Sequence, residues 1–168
     1  MNPYRVETTM LAKVCAVAVA LAALTATPVP AQDHSALYGH HTVVPADKLV
    51  WRPNPNPALS VVQVAVLHGH PAKEGPLVMR LKFPAGFVLP PHRHPREAQL
   101  TVISGAIGHG IGDKVERDKA PLLSAGSFFI MPTTPHFAWF PEETIVQVNA
   151  TGPWVLELVK QDDDPRKK

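Results

Sequence analysis

Two histidines one residue apart stand in the stretch PPHRHPREAQLTVISG, residues 90–105. On an extended backbone His92 and His94 point to the same face, because side chains alternate across a strand. Neutral imidazole nitrogens bind zinc, copper, iron and nickel, with bonds of about 2.1 Å to zinc. The pair therefore predicts a site for a divalent transition metal, and a pair of surface or substrate-facing histidines is the alternative interpretation.

The other histidines give weaker signals. His68 and His70 repeat the H-x-H spacing, but the glycine and proline beside them predict a solvated turn. His136 follows the turn MPTTP at the start of a predicted strand. His109 lies on the next strand after the first pair and is expected either beside the site or exposed. The remaining three are expected at the surface or near the N-terminus: His34, His40 and His41.

Several classes of chemistry are excluded by composition and motif. The single cysteine, Cys15, falls in a segment that we expect to be removed, so a bound metal must be held by nitrogen and oxygen. The sequence has no G-x-S-x-G turn with Ser-His-Asp order, no Walker loop and no G-x-G-x-x-G after a strand. The net charge of +2 without a basic stripe argues against nucleic acid as a partner.

Residues 1–31 have the pattern of a secretory signal peptide. Arg5 and Lys13 precede an uncharged apolar run at 14–24, and a small-residue site ends at Ala31. The run of about eleven residues is shorter than the ~20 needed to cross a bilayer. We expect cleavage after Ala31, a periplasmic or secreted protein and no stable membrane insertion; an uncleaved anchor is the alternative.

Apolar residues beyond position 58 repeat with a period of two, which is typical of strands with one buried face. The clearest case is PLVMRLKF at 76–83, and similar patterns cover 59–67, 98–104, 127–131, 144–150 and 154–160. Turn signals rich in glycine and proline separate them, including SGAIGHGIGDK at 104–114. Many short strands predict one all-β sandwich or barrel over 58–161. An extended lead-in at 32–57 precedes it, and a charged tail at 162–168 follows.

The stretch around the two histidines resembles the first cupin motif, G-x5-H-x-H-x3-E-x6-G. Gly86, His92, His94 and Gly105 occupy its positions in register, whereas Ala98 stands where the motif has glutamate. The resemblance covers about residues 59–160. The chain also looks like a bacterial subgroup of small secreted single-domain cupins, by segments such as RLKFPAGFVLPPHRHP and TIVQVNATGPW.

The second cupin motif, G-x5-P-x-G-x2-H-x3-N, is present in part. Gly126 and Pro132 have its spacing, and His136 follows one residue early. Its middle glycine is replaced within PTTPH, and its final asparagine falls on Phe140. These departures place the family's usual ligand set and chemistry in question for this chain.

The resemblance implies a single-domain jelly-roll β-barrel with one divalent ion (Fe, Mn, Zn, Ni or Cu) at its centre. It implies that His92, His94 and His136 converge on that ion. Phe137 and Trp139, which flank the third histidine, are expected to wall the pocket. Cupins often pair through sheet edges, so a homodimer is expected.

Period two argues against a replacement for the missing carboxylate. If Ala98 faces inward, Leu100 and Val102 do so as well, and this face is wholly apolar. Gln99 then faces outward, and only a bulge would turn it or Glu97 toward the metal. Three neutral imidazoles leave a divalent ion with a net charge of +2, which favours an anionic ligand. A barrel that lost its metal with its carboxylate is the alternative.

Two functions are compatible with these residues and with the resemblance. The first is a metal-dependent enzyme of the dioxygenase or isomerase type, acting on a small anionic or enolisable molecule, with an oxygenase-type reaction favoured. The second is a binding module that holds a small ligand or a metal without turnover, which the missing glutamate supports. Fold resemblance alone does not separate them.

Overall fold

The computed structural model describes residues 42–160, and their regular secondary structure is almost entirely β-strand. The predicted signal peptide, the lead-in up to residue 41 and the charged tail lie outside the described residues. Helical structure in 42–160 is limited to 3₁₀ turns at Ala46–Lys48, Pro57–Leu59 and Arg117–Lys119, and no helix there is long and apolar enough to span a membrane. The strands are β1 Arg52–Pro53, β2 Gln63–His68, β3 Gly75–Phe83, β4 Val88–Arg93, β5 Ala98–Ser104, β6 Ala106–Ile111, β7 Leu122–Ser124, β8 Phe128–Met131, β9 His136–Trp139, β10 Thr144–Gly152 and β11 Glu157–Leu158.

Two antiparallel sheets contain these strands. One has the order β1-β2-β3-β10-β5-β8, and the other has the order β11-β4-β9-β6-β7. Strands that are distant in sequence are neighbours in both sheets, as in a jelly roll. The predicted all-β jelly-roll fold is confirmed.

The hydrophobic core follows from strict alternation in the central strands. Along β3, Leu77, Met79, Leu81 and Phe83 are buried, while the residues between them are only partly so. Burying each such side chain stabilises the fold by about 1.5–3 kcal/mol relative to leaving it exposed. The strand predictions at 76–83, 98–104 and 144–150 are therefore confirmed, because each strand has one face on the core.

Other strand predictions were too long. In 59–67 the ladder begins only at Gln63, because Pro57–Leu59 forms a 3₁₀ turn that buries Leu59 and leads to the buried Val62. In 154–160 only Glu157–Leu158 pairs, against β4. Apolar residues in both segments are packed by irregular backbone, which periodicity alone does not distinguish from a strand.

The motif glycine Gly105 lies where the chain passes from one sheet to the other. Its φ is +74°, and a Cβ there would meet the Glu143 carbonyl oxygen and Thr144. Thr144 is fully buried, and its hydroxyl donates to the Ala106 carbonyl at 2.9 Å. Only glycine fits this crossing, since it needs both a left-handed backbone and a close approach.

Strand β6 lies within the stretch 104–114 that carries turn signals. Its glycines serve packing: a Cβ at Gly108 would enter the Trp139 ring, and one at Gly110 would enter the Phe137 ring. Both aromatic rings therefore cover the face of β6 and β9 that points away from the pocket. The expectation that Phe137 and Trp139 wall the pocket is wrong, because neither ring is among the residues that line it.

We expect Gly108→Ala to lower the free energy of unfolding by about 1–3 kcal/mol, because the new methyl group overpacks the buried Trp139 ring. In a Trp139→Leu background the same substitution should cost less, since the ring that it strikes is absent. Urea denaturation of the wild type, both single variants and the double variant measures this coupling. If the losses in the free energy of unfolding are additive in the double variant, the proposed contact between residue 108 and the Trp139 ring is contradicted.

Candidate metal centre

Two of the candidate histidines are paired across neighbouring strands. His92 of β4 lies opposite His136 of β9, and Leu89 lies opposite Ala138. Three steps along β4 thus match two steps along β9, so β4 has one extra residue, a β-bulge at the Pro90-Pro91 pair. Prolines lack the N–H that a regular ladder needs. The bulge lets Leu89 and His92 both line the pocket despite their odd spacing.

The third histidine, His94, follows the end of β4 and is held by the segment between β10 and β11. Its ring stacks on Trp154, with ring centroids 4.2 Å apart and planes at 26°. Its Nδ1 lies 2.6 Å from the Val155 carbonyl oxygen. Pro153–Leu156, beyond β10, therefore orients this ring.

The three rings form one buried cluster. His92, His94 and His136 are each at most 3% exposed. The ring centroids are 4.3 Å apart for His92 and His136, 5.1 Å for His92 and His94, and 5.4 Å for His94 and His136. One ring nitrogen from each residue lies within 4.8 Å of the other two. The sequence prediction named these three residues, and the fold brings them together; that they bind a metal stays a prediction.

Each ring has its tautomer fixed by a backbone carbonyl. His92 Nδ1 donates to Pro90 O at 2.8 Å, His136 Nδ1 donates to Thr134 O at 2.8 Å, and His94 donates to Val155 as described. A carbonyl oxygen only accepts, so the proton resides on Nδ1 and Nε2 keeps its lone pair. This is the arrangement that orients metal-bound histidines.

The Nε2 atom of His136 tests whether the cluster fits a metal. It is buried and has no hydrogen-bond partner among the described residues. A buried polar atom without a partner is costly and rare. A buried lone pair in a cluster where one nitrogen of each of three imidazoles lies within 4.8 Å of the others suits a divalent transition ion, so the donor set fits the metal that the fold resemblance implies.

Burial keeps these imidazoles neutral. Desolvation, followed by the proximity of His136 and His94, lowers the pKa of His92 well below its usual value. Desolvation lowers the pKa of His94 to about 4 and also lowers the pKa of His136. Neutral rings are available as ligands at pH 7 without loss of a proton.

A largely apolar pocket, partly open to solvent, adjoins the cluster. Leucine, isoleucine, valine, methionine and phenylalanine line most of it. Phe140, which replaces the motif's asparagine, stacks on Phe83 with ring centroids 3.9 Å apart and closes one side with an apolar surface. Histidines supply most of the polar atoms in this lining.

No carboxylate lines the pocket in the part of the chain that the structure describes. Ala98 is 2% exposed and belongs to the core, whereas Gln99 and Glu97 are exposed. The strand from Ala98 to Thr101 pairs regularly with β8, so no bulge turns Gln99 inward. The period-two prediction is confirmed, and the cluster consists of neutral nitrogen donors alone.

A fourth histidine, His109, also lines the pocket. Its ring centroid lies 5.4 Å from that of His136 and 4.7 Å from that of Phe129. Desolvation by burial and the proximity of His136 lower its pKa to about 4. The sequence left its position open. Side chains two positions apart on a strand share a face, so the spacing from Ile107, a core residue, could have predicted that His109 points inward.

Of the remaining histidines, the structure describes His68 and His70, and neither belongs to this cluster. His68 and His70 are exposed, as the turn signals predicted, and His70 Nδ1 accepts a hydrogen bond from the Ala72 N–H at 3.1 Å. The other three lie outside the described residues: His34, His40 and His41.

The lowered imidazole pKa values predict acid sensitivity of the metal-free protein. His92 and His94 have lower pKa values in the folded than in the unfolded protein, so below about pH 6.5 the unfolded chain binds more protons. The free energy of unfolding therefore decreases as the pH falls from 6.5 toward about 4. Urea denaturation with a chelator between about pH 7 and pH 4.5 measures this loss. His94→Asn should give a shallower slope, and a slope equal to that of the wild type would refute the assignment.

Comparison with known proteins agrees with this geometry. No protein-family model matches the chain. The putative germin-like protein 9-2 of Oryza sativa subsp. japonica is 37% identical over 81 residues, which are 46% of this chain and 38% of that protein. The chain therefore spans well under half the length of this relative.

Solved structures show the same fold at low sequence identity. The polyketide cyclase RemF of Streptomyces resistomycificus aligns with a TM-score of 0.61 at 18% identity, over 75% of this chain and 90% of that one. An RmlC-like cupin from Ralstonia eutropha aligns at 0.53 and 20%, over 67% and 69%. A double-stranded β-helix protein from Klebsiella pneumoniae aligns at 0.51 and 24%, over 73% and 100%. The two antiparallel sheets and these solved structures show that the described chain has the fold of cupins and double-stranded β-helix proteins.

Proposed function

We propose that this protein is an exported cupin in which His92, His94 and His136 hold one divalent transition metal ion. The observation that carries the proposal is the set of three buried rings with Nδ1–H groups bound to carbonyls. Their Nε2 lone pairs are thereby left for an ion. The order of charged, apolar and small residues in 1–31 supports export, and a homodimer stays a prediction from the family resemblance.

The ligand of this site is a small anionic or enolisable molecule with an apolar remainder. Three neutral imidazoles do not offset any of the charge of a divalent ion, and no carboxylate of the described residues lines the pocket. A metal ion polarises a bound oxygen and favours its anionic form. The leucine, valine and phenylalanine side chains around it accommodate the apolar part of the molecule.

Turnover is the favoured outcome of binding, with an oxygenase-type reaction first among the candidates. Three protein ligands leave coordination positions for a substrate and a second small molecule. The polyketide cyclase RemF, which shares the fold, supports an enzymatic use of such a barrel. The chain's own residues supply orientation and exclude water, since the rings are held by carbonyls and the pocket is apolar.

A second candidate is a module that binds a small ligand without turnover. The observation that favours it is the replacement of the motif's glutamate by Ala98 and of its asparagine by Phe140. Among the described residues that line the pocket, no carboxylate is present to move a proton. Such a protein would bind the same anionic molecules and release them unchanged.

Metal content tests the first step of the proposal. Wild-type protein should retain about one divalent ion per chain after dialysis, and His136→Ala should retain almost none, since three ligands are then reduced to two. His70→Ala is the matched control and should keep the wild-type content, because this residue is exposed. Elemental analysis of the three proteins measures this, and full occupancy in His136→Ala would overturn the site.

The same loaded protein separates the two candidate functions. Protein loaded with iron or manganese is mixed with each member of a panel of enols, catechols and thiols. Oxygen uptake and product analysis then report whether a reaction occurs. Product that is absent with His136→Ala supports the enzyme. A rise in melting temperature with a panel member, without product, supports the binding module instead.

Restoring a carboxylate should strengthen metal binding and weaken anion binding. In Ala98→Glu the new side chain starts from the inward face of β5, so we expect at least about a tenfold gain in metal affinity and a loss in anion affinity. Gln99→Glu, one residue on, faces outward and is the matched control. Titrations with Co²⁺ and then acetate measure both affinities. Equal effects of the two substitutions would contradict the inward assignment of position 98.

A further inference from the structure

His109 has a buried nitrogen that the three-histidine cluster does not explain. Its Nε2 has no hydrogen-bond partner among residues 42–160, although the residue lines the pocket. In β6 the backbone N–H of His109 donates a hydrogen bond to the Pro121 carbonyl, so the unpaired group of this residue is in its side chain. Buried polar atoms nearly always have a partner, so this atom points to a group that enters the pocket.

The geometry distinguishes His109 from the three metal candidates. Each of the three has its Nδ1 bound to a backbone carbonyl, whereas no such bond holds the His109 ring in the described part of the chain. Among residues 42–160, the group of nitrogens within 4.8 Å of one another consists of the three and does not include His109. His109 packs instead between Phe129 and His136. It therefore lies beside the cluster, on the side of His136.

We propose that His109 recognises the ligand by a hydrogen bond from Nε2 to an oxygen atom. This inference rests on the proposed function, in which another oxygen of the same molecule binds the metal. Because no carbonyl fixes the proton on its Nδ1, the neutral ring can hold that proton on Nε2 and donate it. The ligand class is a small molecule with two neighbouring oxygen atoms, such as a carboxylate, hydroxamate or enediolate, and an apolar remainder.

This role makes His109 a specificity-determining residue. Apart from the three metal candidates, only His109 and Trp154 among the described lining residues have a nitrogen in the side chain, and Trp154 is stacked on His94. The other lining residues are aliphatic, methionine or phenylalanine. Outside the three-histidine cluster, His109 Nε2 is the one buried side-chain nitrogen without a partner among the described residues, so it is available to a ligand oxygen that does not reach the metal.

The test uses the full chain loaded with Co²⁺, with acetohydroxamate as the probe. His109→Phe keeps an aromatic ring at this position and removes the donor. We expect Co²⁺ affinity within about twofold of the wild type and acetohydroxamate affinity reduced at least about tenfold. His109→Gln, which keeps an N–H donor, should recover part of the loss. Phe129→Leu, which changes packing beside the same ring, is the matched control and should keep probe binding near the wild-type value.

Each outcome bears on the proposal. The visible spectrum of Co²⁺ reports metal binding and probe binding separately, and circular dichroism verifies folding of each variant. Unchanged acetohydroxamate affinity in His109→Phe overturns the inference while leaving the metal site intact. Loss of Co²⁺ as complete as in His136→Ala also overturns it and makes His109 a fourth ligand. Failure of the wild type to bind Co²⁺ refutes the proposed function itself and the inference with it.

Discussion

Hydrogen bonds from three buried imidazole Nδ1–H groups to backbone carbonyls are the constraint on which the pocket depends. For His92 and His136 the acceptor is the carbonyl two residues earlier, across an intervening proline in both PPH and TPH. Each ring is thus oriented by its own local backbone, and His94 by the carbonyl of Val155. The same bonds fix the tautomer, so that each desolvated, neutral ring keeps an unprotonated Nε2.

The positions of the three rings relative to one another depend on strand pairing and on the prolines of β4. The opposition of His92 and His136 depends on the register of β4 and β9, and the bulge before His92 depends on prolines that cannot donate to a ladder. His94 adds a third element, because Trp154 and Val155 reach it only through the turn after β10. Displacement of any one of these strands would separate the nitrogens.

Sequence periodicity predicted the parts of the fold in which one face of a strand is buried. It placed β3, β5 and β10 and the inward position of Ala98, because alternation leaves a clear signal there. It could not reveal β4, where two prolines interrupt the ladder, nor that the glycines of β6 make room for Trp139 and Phe137. Phe137 and Trp139 were predicted to line the pocket because they are close to His136 in sequence. Alternation along the strand places both on the opposite face from His136. His109 stayed ambiguous because the glycines on both sides of it predict a turn, which hides the alternation from Ile107 to His109.

The missing carboxylate changes which force selects the ligand in the proposed site. At an effective dielectric constant of 20, two unit charges 4 Å apart interact by about 4 kcal/mol. An anion that enters a site without the glutamate therefore avoids a repulsion energy of about 4 kcal/mol from that carboxylate. A hydrogen bond to a charged group contributes about 1.5–3 kcal/mol, which is smaller. In the proposed site we therefore expect charge to select an anion, and the weaker, directional bond from His109 to orient it against the apolar wall that Phe140 forms.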